Sequence, residues 1–105
     1  MKIKKIRVLL FDEVELLDFA GPMEVWSAAD YMLGDHQAID VKAISNKSEI
    51  SVSKSLLRIT PHIVGTDEDI DILIIPGGFG TRPILKSNDQ LKYIKSLIAQ
   101  SKIIC

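Results

Sequence analysis

An open α/β sheet with helices on both faces is predicted for this chain by three features. Apolar runs typical of buried parallel strands alternate with segments of helical periodicity. Each alternation of this kind predicts a crossover from one parallel strand to the next. The length of 105 residues allows one domain with one core. These features together favour a single layer of parallel strands between helices.

The first strand and the first helix are predicted near the N-terminus. Residues 3–11 form a mostly apolar run that ends at acidic residues, which indicates a strand buried on both faces. Apolar side chains then recur at helical spacing over residues 18–33, and Gly34 marks the end of this helix. Pro22 is expected in the first helical turn, where its missing N–H costs little, so the helix is expected to begin within residues 18–22.

Four further strand signals follow. Residues 39–45 predict a second strand, and the shorter segments 50–53 and 56–60 predict a small hairpin or excursion. The strongest strand signal is IDILII at residues 70–75, which leads into PGGFG at residues 76–80. This turn therefore follows directly from the most clearly predicted strand of the chain.

A second helix and a last strand complete the predicted pattern. Ser87 or Asn88 can cap a helix that runs to Ser101. Its buried stripe is predicted to consist of Leu91, Ile94, Leu97 and Ile98. Residues 102–105 begin another strand, which we expect to lead to a turn and a further helix. Residues 1–105 are therefore expected to be the N-terminal part of a single domain.

Charge, apolar runs and cysteine content exclude several classes of function. With 13 Lys and Arg against 14 Asp and Glu, no basic excess favours nucleic-acid binding by this segment. A membrane span needs about 20 apolar residues, and no stretch of the sequence approaches that length. The apolar run of residues 8–11 is too short for the core of a secretory signal. Cys105 is the only cysteine, and no zinc-ligand spacing occurs. A cytoplasmic protein without a metal is therefore expected.

The glycine-rich turn at residues 76–80 is the first place to look for a site. Ligands of open α/β sheets collect at the carboxyl ends of the strands, and glycines let backbone N–H groups approach a ligand. Gly77, Gly78 and Gly80 could thus form an oxyanion hole or a phosphate cradle, or could simply end the strand. The dinucleotide fingerprint is incomplete, because Pro83 stands where its third small residue belongs.

Acidic side chains are the main candidates for acid–base chemistry. Asp18 follows the first strand and its short loop, so topology brings it to the same sheet edge as the glycines, where it could act as a general acid or base. The residues alone favour the simpler interpretation that Asp18 caps the first helix. Glu15 and Glu24 are further acidic candidates.

Other polar and aromatic residues are expected to be structural. His36 and His62 are not placed to pair with the glycine turn, so both are interpreted as structural or surface residues. Trp26 is expected in the core or in a subunit interface. Cys105 is either an inert strand residue or a nucleophile. Because only two apolar residues separate it from Lys102, the strand interpretation is favoured.

Two motifs resemble the ThiJ/PfpI superfamily. They are LDFAGPMEVW at residues 17–26 and DILIIPGG at residues 71–78, and the strand VLLFD at residues 8–12 precedes both. The most similar branch holds isonitrile hydratases and the glutamine amidotransferase-like sensor domains of AraC-type transcription regulators. In that branch the patterns LD-x-x-GP-x-E-V and D-x-L-x-x-PGG recur, and the resemblance spans most of the chain.

This resemblance implies a flavodoxin-like fold, a homodimer and a cysteine nucleophile, with no metal or organic cofactor. The acidic residue that faces the cysteine maps onto Asp18, and one oxyanion amide maps onto Gly78 with Gly77 supporting the loop. Glu24, Phe79 and Gly80 are further candidates for the ligand cleft. In the register of the family, Cys105 is a strand residue, and the nucleophile elbow is expected beyond it.

Two main functions follow from the resemblance. The first is a cysteine-dependent hydrolase or hydratase that acts on a small molecule or a peptide, for example an intracellular protease, an amidase or an isonitrile hydratase. Residues 1–105 alone are expected to be inactive in that case. The second is a non-catalytic ligand-sensing domain of an AraC-type regulator. A flavodoxin-like nucleotide binder ranks last, because no phosphate-binding lysine motif accompanies the glycines.

Overall fold

The strands and helices follow the order expected for an α/β fold. The computed structural model describes residues 4–34 and 39–105. The strands are β1 (Lys4–Leu9), β2 (Ile39–Ser45), β3 (Ile50–Val52), β4 (Leu57–Ile59), β5 (Ile63–Val64), β6 (Ile70–Ile74) and β7 (Ser101–Ile104). The helices are α1 (Leu16–Met32), α2 (Thr81–Leu85) and α3 (Asn88–Ala99). The prediction for His36 lies outside the described residues.

A parallel sheet of five strands in the order β5-β2-β1-β6-β7 forms the centre of the fold. From β1 the chain crosses through α1 to β2 on one side, and from β6 it crosses through α3 to β7 on the other side. Right-handed crossovers in opposite directions place these two helices on opposite faces of the sheet. The predicted flavodoxin-like α/β class is therefore confirmed.

The neighbours β1 and β6 define the place where a ligand site is expected. Their pairing aligns Ile6 with Ile72 and Val8 with Ile74. The chain leaves the two strands in opposite directions, so their carboxyl ends form the switch point at which open α/β sheets bind ligands. The loops that follow β1 and β6 therefore lie side by side.

The core is formed mainly by the central strands, because these have neighbours on both edges and helices on both faces. Ile6, Val8 and Leu73 are fully buried. Arg7 is also buried, at 2% exposure, and its guanidinium donates to Asp67 at 2.7 Å and to Asp40 at 3.0 Å. Two further bonds to the backbone carbonyls of Ile6 and Asp40 complete its partners. This network joins β1 to β2 and to the segment before β6.

The start of α1 differs from the prediction. The helix begins at Leu16 rather than within residues 18–22, and Pro22 lies inside it rather than in its first turn. The physical reason is a cap supplied from a distant hairpin: the Leu16 N–H donates to Ser53 Oγ at 3.0 Å. Asp18 lies in the first turn and is not the N-cap, so the capping interpretation of this residue was wrong. At the other end Gly34 has φ +67°, as expected for a residue that ends a helix.

The predicted hairpin is present as β3–β4, and the predicted second helix is present as α3. Ser87 caps α3, because its Oγ accepts a hydrogen bond from the Gln90 N–H at 3.3 Å. The buried stripe of α3 differs, because Ile98 is 39% exposed. Tyr93 instead turns inward, and its hydroxyl donates to the Gly65 carbonyl at 2.7 Å. Burial raises the pKa of Tyr93. The short elements β5 and α2 were not predicted.

None of the helices in the described residues is long and apolar enough to cross a membrane.

Candidate functional site

Two loops meet at the switch point and form the floor of the candidate site. One follows β1 and the other follows β6. The Glu15 N–H donates to the Gly77 carbonyl at 3.0 Å, and the Gly80 N–H donates to the Glu13 carbonyl at 3.2 Å. Between these bonds Val14 pairs with Gly78 in an antiparallel bridge. The floor is therefore held by backbone groups of both loops.

Glycine is required where the two loops touch. At Gly78, where φ is +141°, a Cβ would lie 2.6 Å from both the Glu13 carbonyl oxygen and the Glu15 nitrogen. A Cβ at Gly80 would overlap the carbonyl oxygen of Asp12. Any larger residue would push the loops apart, so these glycines do more than end a strand.

The structure brings Asp18, Gly77 and Gly78 together. A Cβ at Gly77 would lie 3.0 Å from Asp18 Oδ2, so the carboxylate rests against the Gly77 backbone. Within the described residues, the Gly78 N–H has no hydrogen-bond acceptor and the Asp18 carboxylate has no ion-pair partner. The carbonyl of the same peptide, that of Gly77, accepts from the Glu15 N–H at 3.0 Å, which fixes the orientation of the Gly77–Gly78 peptide. A free donor thus lies beside a free carboxylate.

These groups open into a cleft of about 520 Å³. Its lining residues are Glu15, Asp18, Gly78, Phe79, Thr81 and Arg82. Phe79 is 65% exposed, which is high for a side chain of its size. The volume lies within the usual range for small-molecule sites. Thr81 and Arg82 were missed at the sequence level, although they follow the glycine turn directly and belong to the short helix α2.

The tip of the β3–β4 hairpin supports one side of the cleft. Ser53, Lys54 and Ser55 have φ values of +47°, +55° and +64°, so three consecutive residues adopt the left-handed conformation. The Ser53 N–H donates to the Val14 carbonyl at 3.0 Å. Lys54 Nζ lies 4.7 Å from the centroid of the Phe79 ring, a cation–π contact. Since residues 53–55 contain no glycine, no local sequence signal predicts this left-handed conformation.

The loop after β1 is held by charged side chains as well. Glu13 has φ +64°, and its Oε1 accepts from the Ser51 hydroxyl at 2.6 Å. Partial burial opposes ionisation of Asp12, but hydrogen bonds from Lys47 and the Ser51 N–H outweigh it and lower the pKa of Asp12. Asp12 and the buried Gly80 line a neighbouring cavity of about 320 Å³ rather than the cleft of Asp18.

Besides Gly80, the sequence candidates Glu24 and Cys105 lie outside the cleft. Glu24 is exposed on α1 and lines a separate groove of about 510 Å³, to which His62 also contributes. Cys105 is exposed and continues the ladder of β7: its N–H donates to the Leu73 carbonyl at 2.9 Å, and its carbonyl accepts from Ile75 at 2.8 Å. It therefore lies opposite Ile74, before the glycine turn. The described part of the chain holds no group of three or more His, Cys, Asp or Glu residues that could bind a metal ion.

Comparison with known families agrees with this architecture. The model of the DJ-1/PfpI family matches residues 4–105. The chain belongs to this family. ThiJ/PfpI is an alternative name for the DJ-1/PfpI family. The resemblance carried by LDFAGPMEVW and DILIIPGG is therefore confirmed.

Two curated DJ-1/PfpI relatives are similar over almost the whole chain. Isonitrile hydratase from Pseudomonas putida is 28% identical over 101 residues, which are 95% of this chain and 41% of the relative. YraA from Bacillus subtilis (strain 168), provisionally named a cysteine protease, is 30% identical over 101 residues, which are 94% of this chain and 56% of the relative. The chain thus spans about half the length of these relatives.

A solved structure shares the fold at lower identity. An AraC family transcriptional regulator from Pseudomonas putida aligns with a TM-score of 0.69 and 16% identity, over 91% of this chain and 59% of the regulator. At this identity the likeness shows the DJ-1/PfpI fold alone.

Proposed function

We propose that the protein is a cysteine-dependent hydrolase or hydratase, to which this chain supplies an acid–base carboxylate and one oxyanion donor. The observation that carries the proposal is the Asp18 carboxylate against the Gly77 backbone, beside the free N–H of Gly78, in a cleft at the switch point of the sheet. A small-molecule or peptide substrate would bind there.

The geometry fits the steps of thiol catalysis. In amide or peptide hydrolysis a thiolate attacks the carbonyl carbon, a C–S bond forms, and the displaced π electron pair moves to the carbonyl oxygen. The Gly78 N–H donates to the negative charge that develops on this oxygen. Asp18 carries the thiol proton to the leaving nitrogen as its C–N bond breaks, and water then attacks the thioester, which breaks the C–S bond and restores the thiol. In isonitrile hydration the thiol adds to the terminal carbon, Asp18 carries the thiol proton to that carbon, and water displaces the thiol from the resulting thioimidate to give the N-alkylformamide.

The nucleophile in this proposal is a cysteine other than Cys105. Cys105 lies within the strand ladder and does not line the cleft. We place the reactive cysteine on the turn that follows the strand β7, in a part of the protein that corresponds to the unmatched length of the relatives. A turn after β7 would bring a thiol to the same sheet edge as Asp18 and Gly78.

The test is Asp18→Asn in the protein as expressed from its gene. Turnover is measured as conversion of an alkyl isonitrile to the N-alkylformamide and as hydrolysis of peptide p-nitroanilides. Asp18→Asn should lower turnover about a hundredfold or more, with the thermal unfolding midpoint unchanged.

The matched control is Asp89→Asn, because Asp89 occupies the first turn of α3 as Asp18 occupies that of α1. Cys105→Ser should leave turnover intact. Full turnover in Asp18→Asn would remove this residue from the mechanism.

A ligand-sensing domain is the second candidate function. It is supported by the fold shared with an AraC family transcriptional regulator from Pseudomonas putida, and the cleft of Asp18 and Gly78 would be its ligand site. In that case the cleft binds an effector without turnover, and Asp18→Asn changes affinity rather than rate. Ligand binding with no product formed from any substrate of the panel would favour this second function.

A further inference from the structure

Charges of opposite sign line the candidate cleft without pairing. Glu15 is the N-cap residue of α1, Asp18 lies in the first turn of α1, and Arg82 belongs to α2. Within residues 4–34 and 39–105, none of these three side chains forms a salt bridge, whereas other arginines of the chain do. A guanidinium that lines a cleft and lacks a partner is free to bind a group of the ligand.

Phe79 forms an apolar wall of the cleft beside Arg82, and Lys54 provides a second positive charge at this wall. Phe79 lines the cleft with 65% of its surface exposed, and the Lys54 ammonium sits over its ring. Three consecutive left-handed residues hold Lys54 at this place, which is a costly local conformation. The α2 side of the cleft thus combines an aromatic surface with positive charge.

We propose that the cleft selects a small carboxylate with a flat apolar body. Arg82 binds the carboxylate through two parallel hydrogen bonds, and Phe79 contacts the apolar body. The reacting group then lies toward Asp18 and Gly78. The inference names the substrate class of the proposed site and therefore rests on the proposed function, or equally on its ligand-sensing form.

An anionic ligand is favoured over a cationic one because the carboxylate at the glycine turn already has a role in the proposed mechanism, whereas Arg82 does not. Asp18 contacts the glycine turn at the proposed reacting end, where the proposed mechanism needs it for proton transfer. Arg82 has no such role, and Lys54 adds positive potential beside Phe79. A ligand carboxylate is attracted by Arg82 and repelled by the carboxylates of Glu15 and Asp18, so it should bind with the guanidinium as its nearest charge.

Three probes with one carbon skeleton test the proposal: phenylacetate, 2-phenylethanol and 2-phenylethylamine, which are anionic, neutral and cationic. None of them contains a bond that a hydrolase would cleave. Affinities are measured by isothermal titration calorimetry with the protein as expressed from its gene. Phenylacetate should bind about tenfold more tightly than 2-phenylethanol, and 2-phenylethylamine should bind most weakly.

Variants locate the preference. Arg82→Gln should bring phenylacetate to the affinity of 2-phenylethanol, and Arg82→Lys should keep part of the preference. Arg58→Gln is the matched control, because Arg58 is an exposed arginine on β4 that pairs with Glu49 at 3.2 Å. It should leave all three affinities unchanged. Thermal unfolding of each variant verifies that the fold is intact.

Several results would overturn the inference: equal affinities for the three probes, tighter binding of 2-phenylethylamine, no saturable binding, or a preference that survives Arg82→Gln. These results concern binding only. The proposed enzymatic function is tested separately by the turnover of Asp18→Asn, so either can fail while the other stands.

Discussion

Replacing Gly78 with alanine should destabilise the protein by separating the two loops of the cleft floor. At φ +141° an alanine adopts a backbone conformation that costs about 1–3 kcal/mol. Its Cβ would also lie 2.6 Å from the Glu13 carbonyl oxygen and the Glu15 nitrogen, which belong to backbone and cannot rotate away. Moving the loops apart weakens the two hydrogen bonds that join them, at about 1 kcal/mol each. The total loss is about 3–5 kcal/mol.

Gly65→Ala is the matched control for this substitution. Gly65 also has a positive φ, +116°, but a Cβ there would meet nothing within 4 Å. This variant therefore measures the backbone strain alone. Urea denaturation followed by circular dichroism gives the free energy of unfolding of both variants. Gly78→Ala should lose about 2 kcal/mol more than Gly65→Ala. Equal losses would refute the close packing of the two loops.

Two further changes test the supports of the site. Ser53→Ala removes the acceptor for the Leu16 N–H and should lower stability by about 1 kcal/mol, whereas the exposed Ser27→Ala on α1 should not. Burial opposes ionisation of Asp67, but hydrogen bonds from Arg7 and Lys5 outweigh it and lower its pKa. Its contribution to stability is thus present above the unfolded pKa of about 3.9 and falls as pH drops through the lower folded pKa. Asp67→Asn should flatten this acid dependence in urea titrations.

Local sequence patterns were sufficient for the main elements of the fold. IDILII predicted β6, and the periodicity of residues 88–99 predicted α3, because burial on two faces or on one stripe leaves a direct trace in the sequence. The strand β5 leaves no such trace, since it has two residues and exists through its pairing with β2. The start of α1 was wrong for a related reason: its cap comes from Ser53, a residue distant in sequence.

The candidate site was predictable only in part. Topology alone brings the ends of β1 and β6 together, and this is sufficient to predict Asp18 at the same sheet edge as Gly77 and Gly78. Phe79 was also a sequence candidate and lines the cleft, but the cations beside it, Arg82 and Lys54, were not predicted. Lys54 reaches Phe79 only because a left-handed turn without glycine holds the hairpin tip against the loop after β1. Such a turn is stabilised by tertiary contacts, which local propensity does not report.

The floor and the rim of the cleft are built differently, and this separates chemistry from selectivity. The floor consists of backbone hydrogen bonds between two loops and depends on Gly78 having no side chain. The rim consists of the exposed side chains Phe79 and Arg82, which contribute little to the core. A change in the floor should therefore reduce stability, whereas a change in the rim should alter ligand preference at constant stability. A rim of this kind can vary its ligand while the acid and the oxyanion donor stay in place.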